Sequence, residues 1–131
     1  MANNFERQVM TLANFGVDQL LDAGVEGGIA AGDHALQYAI PKGKVVTGVI
    51  LRNMKDDLAS SGAATVAVKL GSTTVASATA ISSIKGTSLY FPYMASSEPA
   101  GLVMTEDTPI TVTVATAPLT AGNLDVIVLY I

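Results

Sequence analysis

The sequence holds one histidine, His34, and no cysteine. That count excludes Cys–His nucleophilic pairs, zinc fingers and any site built from several histidines. A Ser-His-Asp arrangement would have to use His34 with its neighbour Asp33. Adjacent residues on a strand point to opposite faces, and no nucleophile-elbow spacing is present. Asp56-Asp57 is the one acidic pair in a polar stretch. Calcium loops space their oxygen ligands at alternate positions and turn on a glycine; here Lys55 and Leu58 flank the pair, which reads as a solvated loop tip. Glu106-Asp107, ahead of Thr108-Pro109, reads as a turn between strands. Gly24, Gly27, Gly28 and Gly32 match no phosphate-binding spacing. Tyr90, Phe91 and Tyr93 could stack on a sugar, but with no tryptophan, four tyrosines and three phenylalanines in the chain the cluster reads as core or interface packing. The expectation is a chain that is not an enzyme and takes no metal or cofactor.

These residues are carried by short strands. Ala35 to Ile40 closes on the turn Pro41-Lys42-Gly43, where proline presets φ and glycine supplies the positive one. Lys44 to Asn53 is rich in β-branched residues, and the polar stretch Met54 to Gly62 is a loop. In Ala64 to Leu70, Val66, Val68 and Leu70 alternate with Thr65, Ala67 and Lys69, the period of a half-buried strand. Gly71-Ser72 then joins it to Thr73 to Ala78 as a β-hairpin. Ser88 to Met94 carries Pro92, which cannot donate to a ladder and so marks an edge strand or a strand end. Gly101 to Met104 is a short strand, and Ile110 to Ala115 alternates again. After the turn Ala121-Gly122-Asn123, Leu124 to Ile131 sends Leu124, Val126, Val128 and Tyr130 to one face. Asp125, Ile127, Leu129 and Ile131 go to the other. Both faces are apolar apart from Asp125, whereas one face of an antiparallel sheet normally meets water. Either this is a central strand covered by a loop or arm, or its second face is a subunit interface.

The first 33 residues read differently. Val9, Leu12, Gly16, Val17, Leu20 and Leu21 recur at helical spacing, with Asn3 or Asn4 as a cap. Gly16 interrupts that face and the glycines from Gly24 follow it, so an extended arm docking on the sheet or on another subunit is the favoured reading. The chain divides into an arm or short helix over residues 1–33 and an all-β domain over residues 34–131, a two-sheet antiparallel sandwich of jelly-roll type.

Composition limits the partners. Hydrophobic residues make up 50% of the chain and charged residues 14%, with a mean hydropathy of +0.46. That is apolar for a small domain, which needs polar cover. No apolar run reaches the roughly 20 residues of a spanning helix, so a membrane partner is not expected. The start, MANNFERQVM, lacks the apolar core of a signal peptide. From Ala59 to Ile131 the charged residues are Lys69, Lys85, Glu98, Glu106, Asp107 and Asp125, and such a sparse half is expected to face other protein. The net charge of −4 argues against nucleic acid, which demands a basic footprint.

Three stretches carry a resemblance: IPKGKVVTGVILRN (Ile40 to Asn53), VAVKLGSTTVA (Val66 to Ala76) and TAPLTAGNLDVIVLYI (Thr116 to Ile131). Their turn-into-strand patterns resemble the small jelly-roll-type decoration, or cement, and head-associated proteins of tailed bacteriophages. The resemblance implies a structural protein of the virion, on the outer surface of the capsid. It would bind across capsomers of the major capsid protein, commonly as a homotrimer. The alternative is a receptor- or glycan-binding sandwich module of a fibre or tail. The subunit or capsid contacts are expected at Phe5, Val9, Leu12, Phe15, Leu20 and Leu21 of the arm and at Ile127, Leu129 and Ile131 of the last strand.

Overall fold

The computed structural model describes residues 16–24, 27–93 and 101–131. Among them the strands run, in chain order, β1 (Gly16–Asp22), β2 (Gly32–Ile40), β3 (Val45–Arg52) and β4 (Ala59–Ser60). There follow β5 (Thr65–Leu70), β6 (Thr73–Ala80), a single helical turn α1 (Ile81–Ile84), β7 (Ser88–Pro92) and β8 (Leu102–Val103). Last come β9 (Thr108–Ala115), β10 (Leu119–Ala121) and β11 (Asn123–Tyr130). The first sheet has the order β1-β11-β3-β7, with β8 also on β3; the second has the order β2-β9-β5-β6. β4 and β10 make a small third pair, and every strand pairing is antiparallel. The chain is all-β, as the strand spacing predicts.

Alternation explains how the two sheets meet. Ile110, Val112 and Val114 of β9 and Val66, Val68 and Leu70 of β5 turn inward from the second sheet. Val49 and Leu51 of β3 and Leu124, Val126 and Val128 of β11 turn inward from the first, each with no solvent exposure. All belong to one hydrophobic cluster. A bulge at Thr47 adjusts the pattern: pairing steps from Leu129↔Gly48 to Tyr130↔Val46. The extra residue reverses the parity of β3, which lets Val46 as well as Val49 face the core.

Three differences from the sequence reading have local causes. Gly16–Asp22 is extended, as the arm reading has it, but it is a full strand of the sandwich, paired along its length with β11 from Gly16↔Leu129 to Asp22↔Asn123. The sandwich therefore includes residues assigned to the arm, and the boundary at residue 33 falls inside β2. The expected arm contacts Phe5, Val9, Leu12 and Phe15 lie outside the described residues. Second, β2 leaves the register of β9 between Ala35 and Ala39 and approaches β1, whose buried Gln19 donates its amide to the Tyr38 carbonyl at 3.3 Å. Third, the stretch from Met54 to Gly62 is not a free loop. It contributes β4, and its start is held by two buried amides. Asn53 Nδ2 donates to the carbonyls of Asp56 at 2.7 Å and Asn123 at 2.6 Å. Asn123 Nδ2 donates to Asp56 Oδ2 at 3.2 Å.

The hairpin through Gly71-Ser72 pairs Leu70 with Thr73, and β7 with its Pro92 lies at a sheet edge, both as expected. Gly122 (φ +90) presses on the carbonyl of Asp57, and a Cβ there would also lie 2.6 Å from Leu58 Cα. Gly43 has nearly the same φ (+89) with nothing within 4 Å of its Cβ position. In urea unfolding, Gly43→Ala is therefore expected to cost about 1 kcal/mol, the conformational strain alone. Gly122→Ala should cost more than about 2 kcal/mol, because strain and overlap with backbone combine. Equal costs would show that the loop simply moves aside.

Candidate assembly surface

Residues opposite one another in register share a face, so the solvent side of the first sheet can be read in rows. One row is Asp18, Ile127, Ile50 and Tyr90; the next is Leu20, Asp125, Arg52 and Ser88; the third is Gly16, Leu129, Gly48 and Pro92. Ile50, Ile127 and Leu129 are half-buried in the middle, while Leu20 at one edge and Tyr90 at the other are 53% and 56% exposed. Gly48 makes room for the aromatic ring: a Cβ there would come 2.7 Å from Tyr90 Cε1. Tyr90 thus lies diagonally over Gly48 and extends the apolar strip set by the two isoleucines.

Charge sits on one flank. Arg52 Nε donates to Asp125 Oδ2 at 2.9 Å, and Arg52 Nη2 reaches Asp18 Oδ2 at 3.3 Å. One guanidinium therefore serves two carboxylates, and the Asp18 side chain remains 53% exposed. Partial burial, and then the nearby Asp125 charge, push the Asp18 carboxyl above its ordinary value, with Arg52 pulling the other way.

The solvent side of the second sheet differs. There Thr65, Lys69, Thr111 and Thr113 turn outward, Thr113 Oγ1 donates to Asp33 Oδ1 at 2.6 Å, and Lys69 Nζ lies 3.8 Å from the same oxygen. It is a polar, threonine-rich surface with its charge paired.

Of the contacts expected from sequence, Ile127, Leu129 and Leu20 come together on the first sheet's outer face. Leu21 does not: it is in the core at 8% exposure, because it follows Leu20 by one position on a strand. Ile131 lies past β11, 63% exposed, and exchanges two backbone hydrogen bonds with Val45. Sequence reasoning missed Ile50 and Gly48, whose place depends on register, and grouped Tyr90 with Phe91 and Tyr93. Phe91 and Tyr93 pack against the core while Tyr90 faces out.

The residues that could carry chemistry are engaged separately. A ring nitrogen of His34, Nε2, lies 2.6 Å from the Ala30 carbonyl oxygen, away from Asp33 with its Thr113 and Lys69 partners. Asp57 pairs with Lys85 at 3.5 Å, and Asp107 accepts from the Lys42 backbone N–H at 2.9 Å. Among the described residues no three His, Cys, Asp or Glu side chains converge as metal ligands would.

No protein-family model and no curated protein matches the sequence. Among solved structures the chain is similar to a chain from the capsid of Ralstonia phage GP4, at 21% identity and a TM-score of 0.56, over 88% of this chain and 83% of that one. At that identity the likeness shows a shared fold.

The raised Asp18 pKa gives a signed prediction. A folded chain that holds this proton more tightly than the unfolded chain loses stability as pH rises through the two values. The penalty is present near neutral pH and gone below the ordinary value of 3.8. Asp18→Asn should thus melt no lower than the parent near pH 7, with any gain disappearing near pH 3. Arg52→Ala, which leaves Asp18 and Asp125 side by side, should melt lower near pH 7. A lower melting temperature for Asp18→Asn at neutral pH would mean that the Arg52 contact outweighs the other two effects.

Proposed function

We propose that this chain is a structural protein of a tailed-phage head, a decoration or cement protein on the outer surface of the capsid. In this reading it docks across neighbouring capsomers of the major capsid protein through the outer face of the first sheet. The observation that carries the reading is the fold shared with a phage capsid chain over 88% of this chain. Two features support it. Among the described residues His34, Asp57 and Asp107 are engaged apart from one another, and the exposed Leu20 and Tyr90 flank half-buried Ile50, Ile127 and Leu129 on one sheet face. A face of this kind binds by area: about 25 cal/mol for each Å² of apolar surface buried, offset by the entropy of association. Repetition around a shell then adds avidity.

The test is addition of the purified protein to heads that lack it, followed by co-sedimentation and heat challenge. The parent should bind saturably and raise the temperature at which heads rupture. Ile127→Asp places a charge at the centre of the apolar strip, at a cost of about 1–3 kcal/mol to the fold. It should keep the β-sheet circular dichroism spectrum and lose docking. Docking unchanged in a folded Ile127→Asp variant would place the contact elsewhere on the chain. A parent that ignores heads and binds members of a glycan panel would replace the reading with a receptor-binding module that uses the exposed Tyr90.

A further inference from the structure

The charged flank of the docking face specifies its partner more closely than apolar character does. Among the residues that share this face by register, Arg52 is the one cation, and it is divided between Asp125 at 2.9 Å and Asp18 at 3.3 Å. Asp125 sits on the central strand with its side chain 26% exposed, while Asp18 sits on the edge strand with its side chain 53% exposed. One negative charge is left unmatched, and it belongs to the more accessible of the two carboxylates. It stands beside Leu20 and Ile127, at the margin of the apolar strip.

A second copy of this chain is a poor occupant. It would bring no free cation to meet Asp18, because Arg52 is already divided between two carboxylates, and each copy carries a net charge of −4. Net like charge on two surfaces disfavours their association. A partner with an apolar patch and a lysine or arginine at its margin is the complementary surface. Its cation would meet Asp18 while Arg52 stays on Asp125. Resting on the capsid reading above, we infer that the capsid surface beneath this chain presents a basic side chain next to an apolar patch, and that Asp18 receives it.

This pair lies at the rim, so it governs specificity and salt response more than total affinity. The experiment is co-sedimentation with undecorated heads across a range of salt concentrations, using the parent, Asp18→Asn and Asp18→Lys, each confirmed as folded by its melting curve. The parent should dock less tightly as salt rises, because screening shortens the reach of the exposed charge. At low salt Asp18→Asn should dock about threefold more weakly and Asp18→Lys about tenfold or more. Both should show a shallower salt dependence. If Asp18→Lys docks as the parent does, with the same salt response, the partner brings no cation to this position and the inference falls while the capsid reading stands. If the parent itself does not dock on heads, both fall.

Discussion

Leu124, Val126 and Val128 have no exposure to solvent, and the period of a strand then leaves Asp125, Ile127 and Leu129 no choice but to face outward. Most of what is distinctive here depends on that constraint. β11 is central, between β1 and β3, so its outward residues stand in the middle of a face and set its character. Ile127 lies beside Ile50, and Asp125 lies beside Arg52. The Arg52 guanidinium, drawn to Asp125, reaches on to Asp18 of the next strand. A single alternation thus produces the dry centre of the sandwich, the apolar strip outside it and the ionic group on the strip's flank.

The strands whose inward residues are uniformly apolar were legible in sequence. β5, β9 and β11 alternate without interruption, and the turn at Gly71-Ser72 is short enough to admit one pairing. β1 was not legible, and Gln19 shows why. It occupies an inward position between β11 and the bulged part of β2, buried because its amide reaches the Tyr38 carbonyl. A polar side chain satisfied by a residue 19 positions away breaks the period-two signal. What survives, Val17, Leu20 and Leu21, fits a helical period equally well. The contribution of β4 was hidden for a related reason. Its partner β10 and the amide of Asn123 are distant in sequence, so a polar run that looks like free loop is held from outside.

The candidate face was half legible. Strand alternation alone places Ile127 and Leu129 together, and it places Asp125 with them. Which residues stand beside them depends on the register of β11 against β3, a pairing distant in sequence for which the stretch KVVTGVILRN holds no signal. Gly48 looks like a weak point of a β-branched strand. It is instead the position over which Tyr90 lies, and it separates that tyrosine from Phe91 and Tyr93 on the other side of β7.

A surface that works by contact area gains from being rigid before it meets its partner, since side chains and loops ordered on docking subtract from the affinity. Here the strip is built on four hydrogen-bonded strands and not on loops. β-branched Ile50 and Ile127 have few rotamers to lose. Tyr90 is seated against backbone at Gly48, and Arg52 is held by two carboxylates before any partner arrives. Asp18, on the edge strand and half exposed, is the more accessible of the two carboxylates. The face therefore combines a preorganised apolar centre with an adjustable charge at its margin; under the docking proposal the centre would supply affinity and the margin would decide which surface is accepted.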